Sequence, residues 1–186
     1  MKEGLTRQTI QIGNETITFR YPRWRDVPAY VEMCRTLHRE RVMAYHAETD
    51  FAKGCQRLSD FLVALETGTG AHVVAEAGDL LIGEGSIQTG SVPHLGVLGI
   101  KIIGAYRKRG LGTIMMQQLE TEARTLDLNR IFLNAWGINT PAINLYKKVG
   151  YREVGRVADW FSDTDENGNQ ILADKVEMIK ELEEEE

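Results

Sequence analysis

Cysteine and proline are scarce in this sequence, which has two cysteines and four prolines in 186 residues. The cysteines, Cys34 and Cys55, lack the CxxC spacing of a metal or redox site. Each lies on the apolar stripe of a predicted helix, so we expect buried, reduced thiols. The chain is also long enough to bury about 70% of its unfolded surface. We therefore expect a fold that needs neither disulfides nor a structural metal.

Features that direct a protein to a membrane are absent as well. No run of about 18 apolar residues occurs, as a membrane-spanning helix would require. The segment from Met1 to Gln11 has no apolar core of signal-peptide length. Together these absences predict a cytoplasmic protein without a membrane partner.

An excess of positive charge is the third absence. The formal net charge is −5 and the isoelectric point is near 5.5. Non-specific binding to nucleic acid depends on a broad positive field that replaces phosphate counterions, so no nucleic-acid partner is expected. Apolar residues make up 42% and charged residues 26%, as in an average soluble domain. We predict one domain over residues 1–182, with 1–14 as an N-terminal extension or hairpin arm and 183–186 as an acidic tail.

The spacing of apolar residues predicts an α/β (α+β) chain with a mixed sheet. Asp26 and Asp50 are good helix N-caps, and Gly13-Asn14 is typical of a hairpin turn. The predicted elements, in chain order, are hairpin arms at 9–12 and 15–19, helices after Asp26 and Asp50, strands at 72–75, 80–87 and 95–103, a helix after 112, a strand at 131–136, a helix capped by Asn139 or Thr140, and strands at 151–157 and 171–179.

The most informative segment is a basic, glycine-containing turn at residues 107–113, between a predicted strand and a predicted helix. A helix start offers unpaired NH groups and the positive end of the helix dipole, which together bind anions. Gly110 and Gly112 remove side chains that would keep an anion away from those NH groups. The turn therefore suits a pyrophosphate, although it is neither a P-loop nor a GxGxxG turn. Taken alone, it could equally be a helix start with exposed basic residues.

Two segments together resemble the GNAT family of N-acetyltransferases. Residues 107–112 match the pattern Q/R-x-x-G-x-G/A, and residues 139–151 match N-x-x-A-x-x-L-Y-x-x-x-G-F/Y, in the family's order. The C-terminal part, 155–178, is most similar to ribosomal-protein alanine acetyltransferases and other N-terminal acetyltransferases. The resemblance implies a mostly antiparallel sheet with helices on both faces. It also implies that strands 95–103 and 131–136 splay apart in the centre of the sheet.

The resemblance implies acetyl-CoA as the cofactor, with no metal. The pyrophosphate would lie on the basic turn and the pantetheine arm in the wedge between the splayed strands. The residues that would hold the cofactor are Ile100, Lys101, Ile102, Arg107, Lys108, Arg109, Gly110, Leu111, Gly112, Thr113, Asn139 and Tyr146.

Catalytic residues follow from the same resemblance. Tyr146 matches the tyrosine that protonates the CoA sulfur, although a core tyrosine would fit the same apolar stripe. Asn139 could contact CoA, cap a helix, or do both. Relatives that acetylate protein N-termini often carry a glutamate where this chain has Asn134, and an amide cannot take a proton. Glu84 and His94 are the substitute bases, acting directly or through water, but each could be only a solvated residue at a strand end.

The implied function is transfer of an acetyl group from acetyl-CoA to a primary amine by direct attack in a ternary complex. The acceptor would be a peptide N-terminus or a small amine. Trp160 and Phe161 could flank it, and the acceptor-side region would include Glu40, Tyr45, His46 and Glu48. Two alternatives remain open: a non-catalytic CoA-binding sensor domain, favoured by Asn134, and an acyltransferase that uses another acyl-CoA. The sequence also leaves a homodimer open.

Overall fold

The computed structural model describes residues 2–41, 49–164 and 167–183. Within these residues the predicted elements form eight strands and four α-helices. The strands are β1 Thr6–Ile12, β2 Glu15–Arg20, β3 Gly70–Ala77, β4 Leu80–Thr89, β5 Leu95–Ile102, β6 Arg130–Trp136, β7 Arg152–Thr164 and β8 Gln170–Glu181, and the helices are α1 Val27–Arg39, α2 Phe51–Thr67, α3 Leu111–Thr125 and α4 Thr140–Lys148.

All eight strands belong to one sheet, in the order β1-β2-β3-β4-β5-β6-β8-β7. Every neighbouring pair is antiparallel except β5 and β6, which are parallel. The larger core packs α3 and α4 on one face of the sheet, and a smaller core packs α1 and α2 on the other. The prediction of a mixed, mostly antiparallel sheet with helices on both faces is confirmed.

The two parallel strands separate part of the way along their length. They pair only from Leu95 opposite Arg130 to Val97 opposite Phe132. Beyond that point β5 stays paired with β4 as far as Ile102, while β6 stays paired with β8 as far as Trp136. The predicted splay of the central strands is therefore present, and it opens a gap in the middle of the sheet.

Local details differ from the sequence-based expectation at three places. Asp26 is the N-cap residue of α1, as predicted, but its side chain makes no capping hydrogen bond, because its carboxylate instead accepts hydrogen bonds from Arg20 and from the backbone NH of Arg23. Cys34 is buried as expected, but Cys55 is only half-buried. The strands β7 and β8 extend further into their connecting hairpin than predicted. The residues there are polar, a pattern that predicts a loop, but they pair across the two strands as far as Thr164 opposite Gln170.

None of the described helices combines the length and the apolar character needed to cross a bilayer.

Candidate active site

A cavity of about 570 Å³ occupies the gap between the splayed strands. Because its lining includes Lys101 on the α1 side of β5 and Tyr146 of α4 on the opposite side, the cavity extends through the sheet. The lining residues are Glu40, Arg41, Ile100, Lys101, Ile102, Arg107, Lys108, Gly110, Gly112, Thr113, Asn139, Pro141, Ala142, Leu145 and Tyr146. Ten of the twelve residues predicted to hold a cofactor are among them.

The start of α3 forms a corner at one end of this cavity. Lys108 and Gly110 both have positive φ angles, 61° and 82°, with Arg109 between them. When the sign of φ alternates along the chain in this way, successive NH groups point toward the same side and form an anion-binding concavity. The NH groups of Thr113 and Ile114 both donate to the carbonyl of Gly110.

No described group accepts a hydrogen bond from the NH groups of residues 111 and 112. The corner therefore presents free donors at the positive end of a 15-residue helix.

The glycine at position 112 also allows two helices to approach closely. A Cβ atom added there would lie 2.7 Å from Leu145 Cδ2 of α4. Gly112 therefore brings α4 against the start of α3, in addition to leaving the corner open. Leu111, predicted to contact the cofactor, has its side chain buried in the core, so only its backbone NH is available at the corner.

The three basic residues of the turn point in different directions. Arg107 and Lys108 line the cavity. Arg109 does not: its guanidinium forms an ion pair with Glu15 at 2.8 Å and lies 4.8 Å from the centre of the Tyr106 ring. The structure thus places two of the three predicted basic residues at the corner and directs the third toward the β1–β2 hairpin.

Glu40, at the end of α1, holds Arg107 in position. Its carboxylate lies 2.6 Å from Arg107 Nη2 and accepts hydrogen bonds of 2.8 and 2.9 Å from the backbone NH of Gly104. Arg107 Nε also donates to the carbonyl of Ile102. Glu40 was predicted on the acceptor side, but the structure places it at the corner, because α1 ends beside the turn that follows β5. Residues 45, 46 and 48, predicted for the acceptor region, lie outside the described residues.

Tyr146 lies on the α4 side of the cavity. Its side chain is nearly buried, and desolvation raises the pKa of its phenol to about 12. No described residue forms a hydrogen bond with its hydroxyl group. Asn139 also lines the cavity, and its side-chain oxygen caps α4 by accepting from the NH of Ala142 at 3.3 Å. Tyr146 therefore offers a protonated, unpaired hydroxyl next to the gap, and Asn139 is both helix cap and cavity residue.

Glu84, one of the two predicted bases, is fully buried in β4. Its oxygens lie 2.9 Å from Lys101 Nζ and 3.0 Å from His72 Nε2. Burial opposes ionisation, but the Lys101 ammonium and the His72 hydrogen bond together outweigh it and hold the pKa of Glu84 well below its ordinary value. Phe61 of α2 stacks on the His72 ring and covers this side. Glu84 is thus a buried, ionised partner of Lys101 with both oxygens occupied.

His94, the other predicted base, lies immediately before the first residue of β5. Its Nδ1 is 2.8 Å from the carbonyl of Asp127, and half of its side chain is exposed. The cavity begins at Ile100, six residues further along the strand, or about 20 Å at 3.3 Å per residue. His94 therefore does not reach the cavity, because it lies at the opposite end of β5 from the corner.

The corner, the gap and the buried phenol define a site for a long ligand with an anionic group at one end. Residues 31–151 match the family model described as Acetyltransferase (GNAT) family. That segment is well over half of the chain, so this protein belongs to the GNAT acetyltransferase family, and the resemblance noted in the sequence is confirmed.

Two archaeal proteins are similar in sequence over a shorter segment. An N-alpha-acetyltransferase from Sulfurisphaera tokodaii is 32% identical over 68 residues, which cover 36% of this chain and 41% of that protein. An N-alpha-acetyltransferase from Sulfolobus acidocaldarius is also 32% identical over 68 residues, covering 40% of its length. The match therefore spans about two fifths of each archaeal relative.

Solved structures share the fold over most of the chain. A GNAT-family acetyltransferase from Streptococcus pneumoniae superposes with a TM-score of 0.76 at 18% identity, over 90% of this chain and 99% of that one. A ribosomal-protein-alanine N-acetyltransferase from Brucella melitensis gives 0.72 at 21% identity, over 88% and 99%. A putative acetyltransferase from Salmonella typhimurium, solved with its cofactor acetyl-CoA, gives 0.72 at 18% identity, over 91% and 95%. At these identities the likeness concerns the fold.

Proposed function

We propose that this protein transfers the acetyl group of acetyl-CoA to a primary amine by direct attack in a ternary complex. The observation that carries the proposal is one continuous cavity with free NH donors and basic side chains at one end and the hydroxyl of Tyr146 beside the gap. The names of the two archaeal relatives favour the N-terminal amine of a peptide or protein over a small amine.

The corner fits the diphosphate of coenzyme A. The NH groups of residues 111 and 112 and the side chains of Arg107 and Lys108 all converge there, and charge-assisted hydrogen bonds to phosphate are the strong ones. Arg107 is already oriented by Glu40, so less side-chain entropy is lost on binding. These residues would hold the cofactor without metal ligands.

The gap fits the pantetheine arm. Beyond Val97, the edge of β5 that faces β6 has no ladder partner, so its main-chain groups are available to the amides of an extended ligand, apart from the Ile102 carbonyl that accepts from Arg107. Residues 100–102 lie along this edge and line the cavity. An extended arm would there take the position of an additional strand, with the thioester near Ile100.

The chemistry needs a neutral amine as nucleophile and a proton for the departing sulfur. The amine nitrogen forms a bond to the carbonyl carbon as the bond from that carbon to sulfur breaks. Tyr146 is suited to donate the proton to sulfur, because burial keeps its phenol protonated at neutral pH. We therefore assign Tyr146 the role of general acid.

The acceptor would approach from the α1 side of the sheet. On this face of the splayed strands Gly99 has no atom within 4 Å of the position of a Cβ, so the space above it is open. Trp136 and Phe161 stack with ring centres 4.5 Å apart, and more than half of the Trp160 surface is exposed. These aromatic rings provide an apolar surface on which a peptide or a small amine could lie.

The proposal is tested by incubating the purified protein with acetyl-CoA and a panel of peptides with free N-termini, the same peptides with blocked N-termini, and small primary amines. Free thiol release and the mass of the acceptor are measured together. We expect release of CoA and a gain of one acetyl group on peptides with free N-termini only.

Two other results would replace this proposal. Binding of acetyl-CoA without transfer to any amine would favour a CoA-binding sensor domain. Faster turnover with a longer acyl-CoA would make the protein an acyltransferase of different donor preference.

A further inference from the structure

A charged pair on strands β4 and β5 connects the protein interior to the cavity. Glu84 and Lys101 are direct cross-strand partners, and Glu84 Oε1 lies 2.9 Å from Lys101 Nζ. Only 3% of the Glu84 side chain is exposed, against 34% for Lys101, which lines the cavity. The buried end of the pair is therefore the anion, and the end that faces the cavity is the cation.

The buried end of this pair is held in place from behind. Glu84 Oε2 lies 3.0 Å from Nε2 of His72, whose side chain is only 5% exposed. The ring of Phe61 in α2 stacks on His72. A lysine side chain normally loses conformational entropy when it binds a ligand. Because Glu84 already orients the Lys101 ammonium, much of that entropy is lost on folding, before any ligand binds.

Stability alone is a poor explanation for the pair. Removing two charges from water is costly, and apolar residues in place of a buried ion pair are often equally stabilising or more so. Ionised groups with perturbed pKa values that border a cleft are instead common at functional sites. The pKa of Glu84 is held well below its ordinary value, and its partner lines the cavity. A role of the Lys101 charge in binding accounts for both features.

The Lys101 side chain lies on the open face of β5. Leu98 belongs to the core with α3. Side chains alternate along a strand, so Val97, Gly99 and Lys101 all face the opposite side, toward α1. Val97 is 43% exposed, and the space above Gly99 is open. An open strip therefore runs along β5 on the proposed acceptor face and ends at the Lys101 ammonium.

The other charges in the cavity lining make this side of it positive. Arg107 and Lys108 belong to the corner that fits the diphosphate. Glu40, the one acidic residue among the described lining residues, is paired with Arg107. Arg41, which follows α1, adds an exposed cation. A positively charged cleft attracts a substrate that carries negative charge.

We propose that Lys101 determines acceptor specificity, and that the acceptor is a peptide with an acidic side chain in its second or third residue. The proposal rests on the proposed function, in which the thioester lies near Ile100. One Cα–Cα step and an extended lysine side chain place the Lys101 ammonium within roughly 10 Å of the thioester. An extended peptide advances about 3.4 Å per residue, so a carboxylate on either residue is within reach.

The role of Lys101 in this proposal is to bind and not to react. Its Nζ donates a charge-assisted hydrogen bond to the acceptor carboxylate, which fixes the peptide with its amine beside the thioester. The main chain of the same residue remains available to the pantetheine arm on the edge of β5. One residue therefore contacts both substrates, the cofactor through its backbone and the acceptor through its side chain.

The test moves one glutamate along a peptide of constant composition. Three otherwise neutral ten-residue peptides carry the glutamate at position 2, 3 or 9, so their net charge is the same. We expect kcat/KM of the wild type for the first two peptides to exceed that for the third about tenfold, as the gain of one charged hydrogen bond predicts. The mass of the acetylated peptide measures the rate.

Three variants test whether Lys101 causes this preference. Lys101→Gln removes the cation and should bring the ratio of the kcat/KM values close to one, whereas Lys101→Arg keeps a cation and should keep most of the preference. Because Lys101→Gln leaves a buried carboxylate without its ammonium, the double variant Glu84→Gln/Lys101→Gln, which removes both charges, is made as well. It should fold, as its melting temperature shows, and should have no preference.

Lys108→Gln is the matched control, because it removes another lysine from the lining of the same cavity. It should weaken the binding of acetyl-CoA and leave the ratio between the peptides unchanged. A ratio that falls equally in Lys108→Gln would attribute the preference to the overall charge of the cavity and overturn the role of Lys101.

The possible failures are distinguishable. A wild type that acetylates all three peptides equally well would overturn the specificity role of Lys101 but leave the proposed function standing. A preference that survives in Lys101→Gln or in the double variant would do the same. A wild-type protein that acetylates no amine would overturn both proposals.

Discussion

Tyr146 shows how one side chain combines burial with access to a ligand. Its ring lies against Tyr151, with ring centres 6.2 Å apart, inside the core shared by α3 and α4. Its hydroxyl lacks a protein partner, unlike that of Tyr21, which donates to Glu122 at 2.8 Å. Tyr146 lines the cavity, and its hydroxyl oxygen is not among the buried unpartnered atoms of the described residues, whereas that of Tyr151 is, so the Tyr146 hydroxyl is accessible to a ligand.

Tyr146→Phe is a direct test of the proposed general acid. The variant keeps the ring and removes a hydroxyl that no described residue contacts, so the melting temperature should not fall. We expect kcat to decrease about 100-fold while the affinity for acetyl-CoA stays nearly constant. Steady-state kinetics and calorimetry measure the two quantities, and an unchanged kcat would remove Tyr146 from the mechanism.

The same residue determines part of the pH dependence. Since burial raises the pKa of Tyr146 to about 12, its acid form is present throughout the neutral and mildly alkaline range. The group therefore causes no loss of kcat until the pH approaches its pKa.

Side-chain direction within the basic turn could not be predicted from the sequence. Arg107 and Arg109 have the same chemistry and stand two residues apart, yet only Arg107 lines the cavity. The difference arises from the positive φ of Lys108, which turns the chain, and from distant partners, Glu40 for Arg107 and Glu15 for Arg109. Neither partner is a neighbour in sequence, so the local motif identifies the turn but not the role of each arginine.

At the scale of elements, strand β5 carries two glycines that face opposite sides of the sheet. A Cβ atom at Gly96 would lie 2.8 Å from Leu128 Cδ1 and 2.9 Å from Ile87 Cδ1, in the core beneath α3. The space above Gly99 is open, and its φ is not positive. One glycine therefore allows the core to close against β5, and the other leaves the proposed acceptor face clear.

Alanine substitutions separate these two roles. Gly96→Ala should lower stability by about 1–3 kcal/mol because it overpacks the core. Gly99→Ala should leave stability unchanged or slightly higher, since an alanine restricts the unfolded chain. Urea denaturation measures both changes. Equal destabilisation by the two substitutions would contradict the assignment of faces, on which the position of the acceptor depends.

The separation of β5 from β6 was expected from family resemblance rather than from the residues themselves. Both strands are predicted correctly from their apolar patterns, but pairing between strands is a non-local property. The register of β6 against β8 likewise depends on contacts between distant parts of the chain.

At the scale of the whole molecule, the order of elements and the fold class could be predicted because local signals agree with one another. Helix caps such as Asp50 and Asn139, and the apolar stripes of α3 and α4, all indicate the same arrangement. The cavity lining was predicted in large part, but Glu40, Arg41, Pro141, Ala142 and Leu145 were not. Ala142 and Leu145 could have been found, because they share the apolar stripe of α4 with Tyr146.

The fold also separates the cofactor corner from the proposed acceptor surface. The cofactor corner lies where α1, the turn after β5 and the start of α3 meet, whereas the stacked aromatic residues lie on β6 and β7. The gap between β5 and β6 is the place where both regions meet. A ternary complex, with each substrate bound to its own side, is the arrangement that this geometry favours.

The central claim is that the corner at the start of α3 binds the diphosphate of acetyl-CoA, and calorimetric titration of three proteins tests it most directly. We compare the wild type with Arg107→Glu, at the corner, and Arg152→Glu, an exposed arginine of β7 that makes the same change of charge. Loss of charged hydrogen bonds of about 1.5–3 kcal/mol corresponds to at least a tenfold weaker Kd for Arg107→Glu. Arg152→Glu should bind as the wild type does. If Arg107→Glu keeps wild-type affinity, or if the wild type binds no acetyl-CoA, the corner is not the diphosphate site.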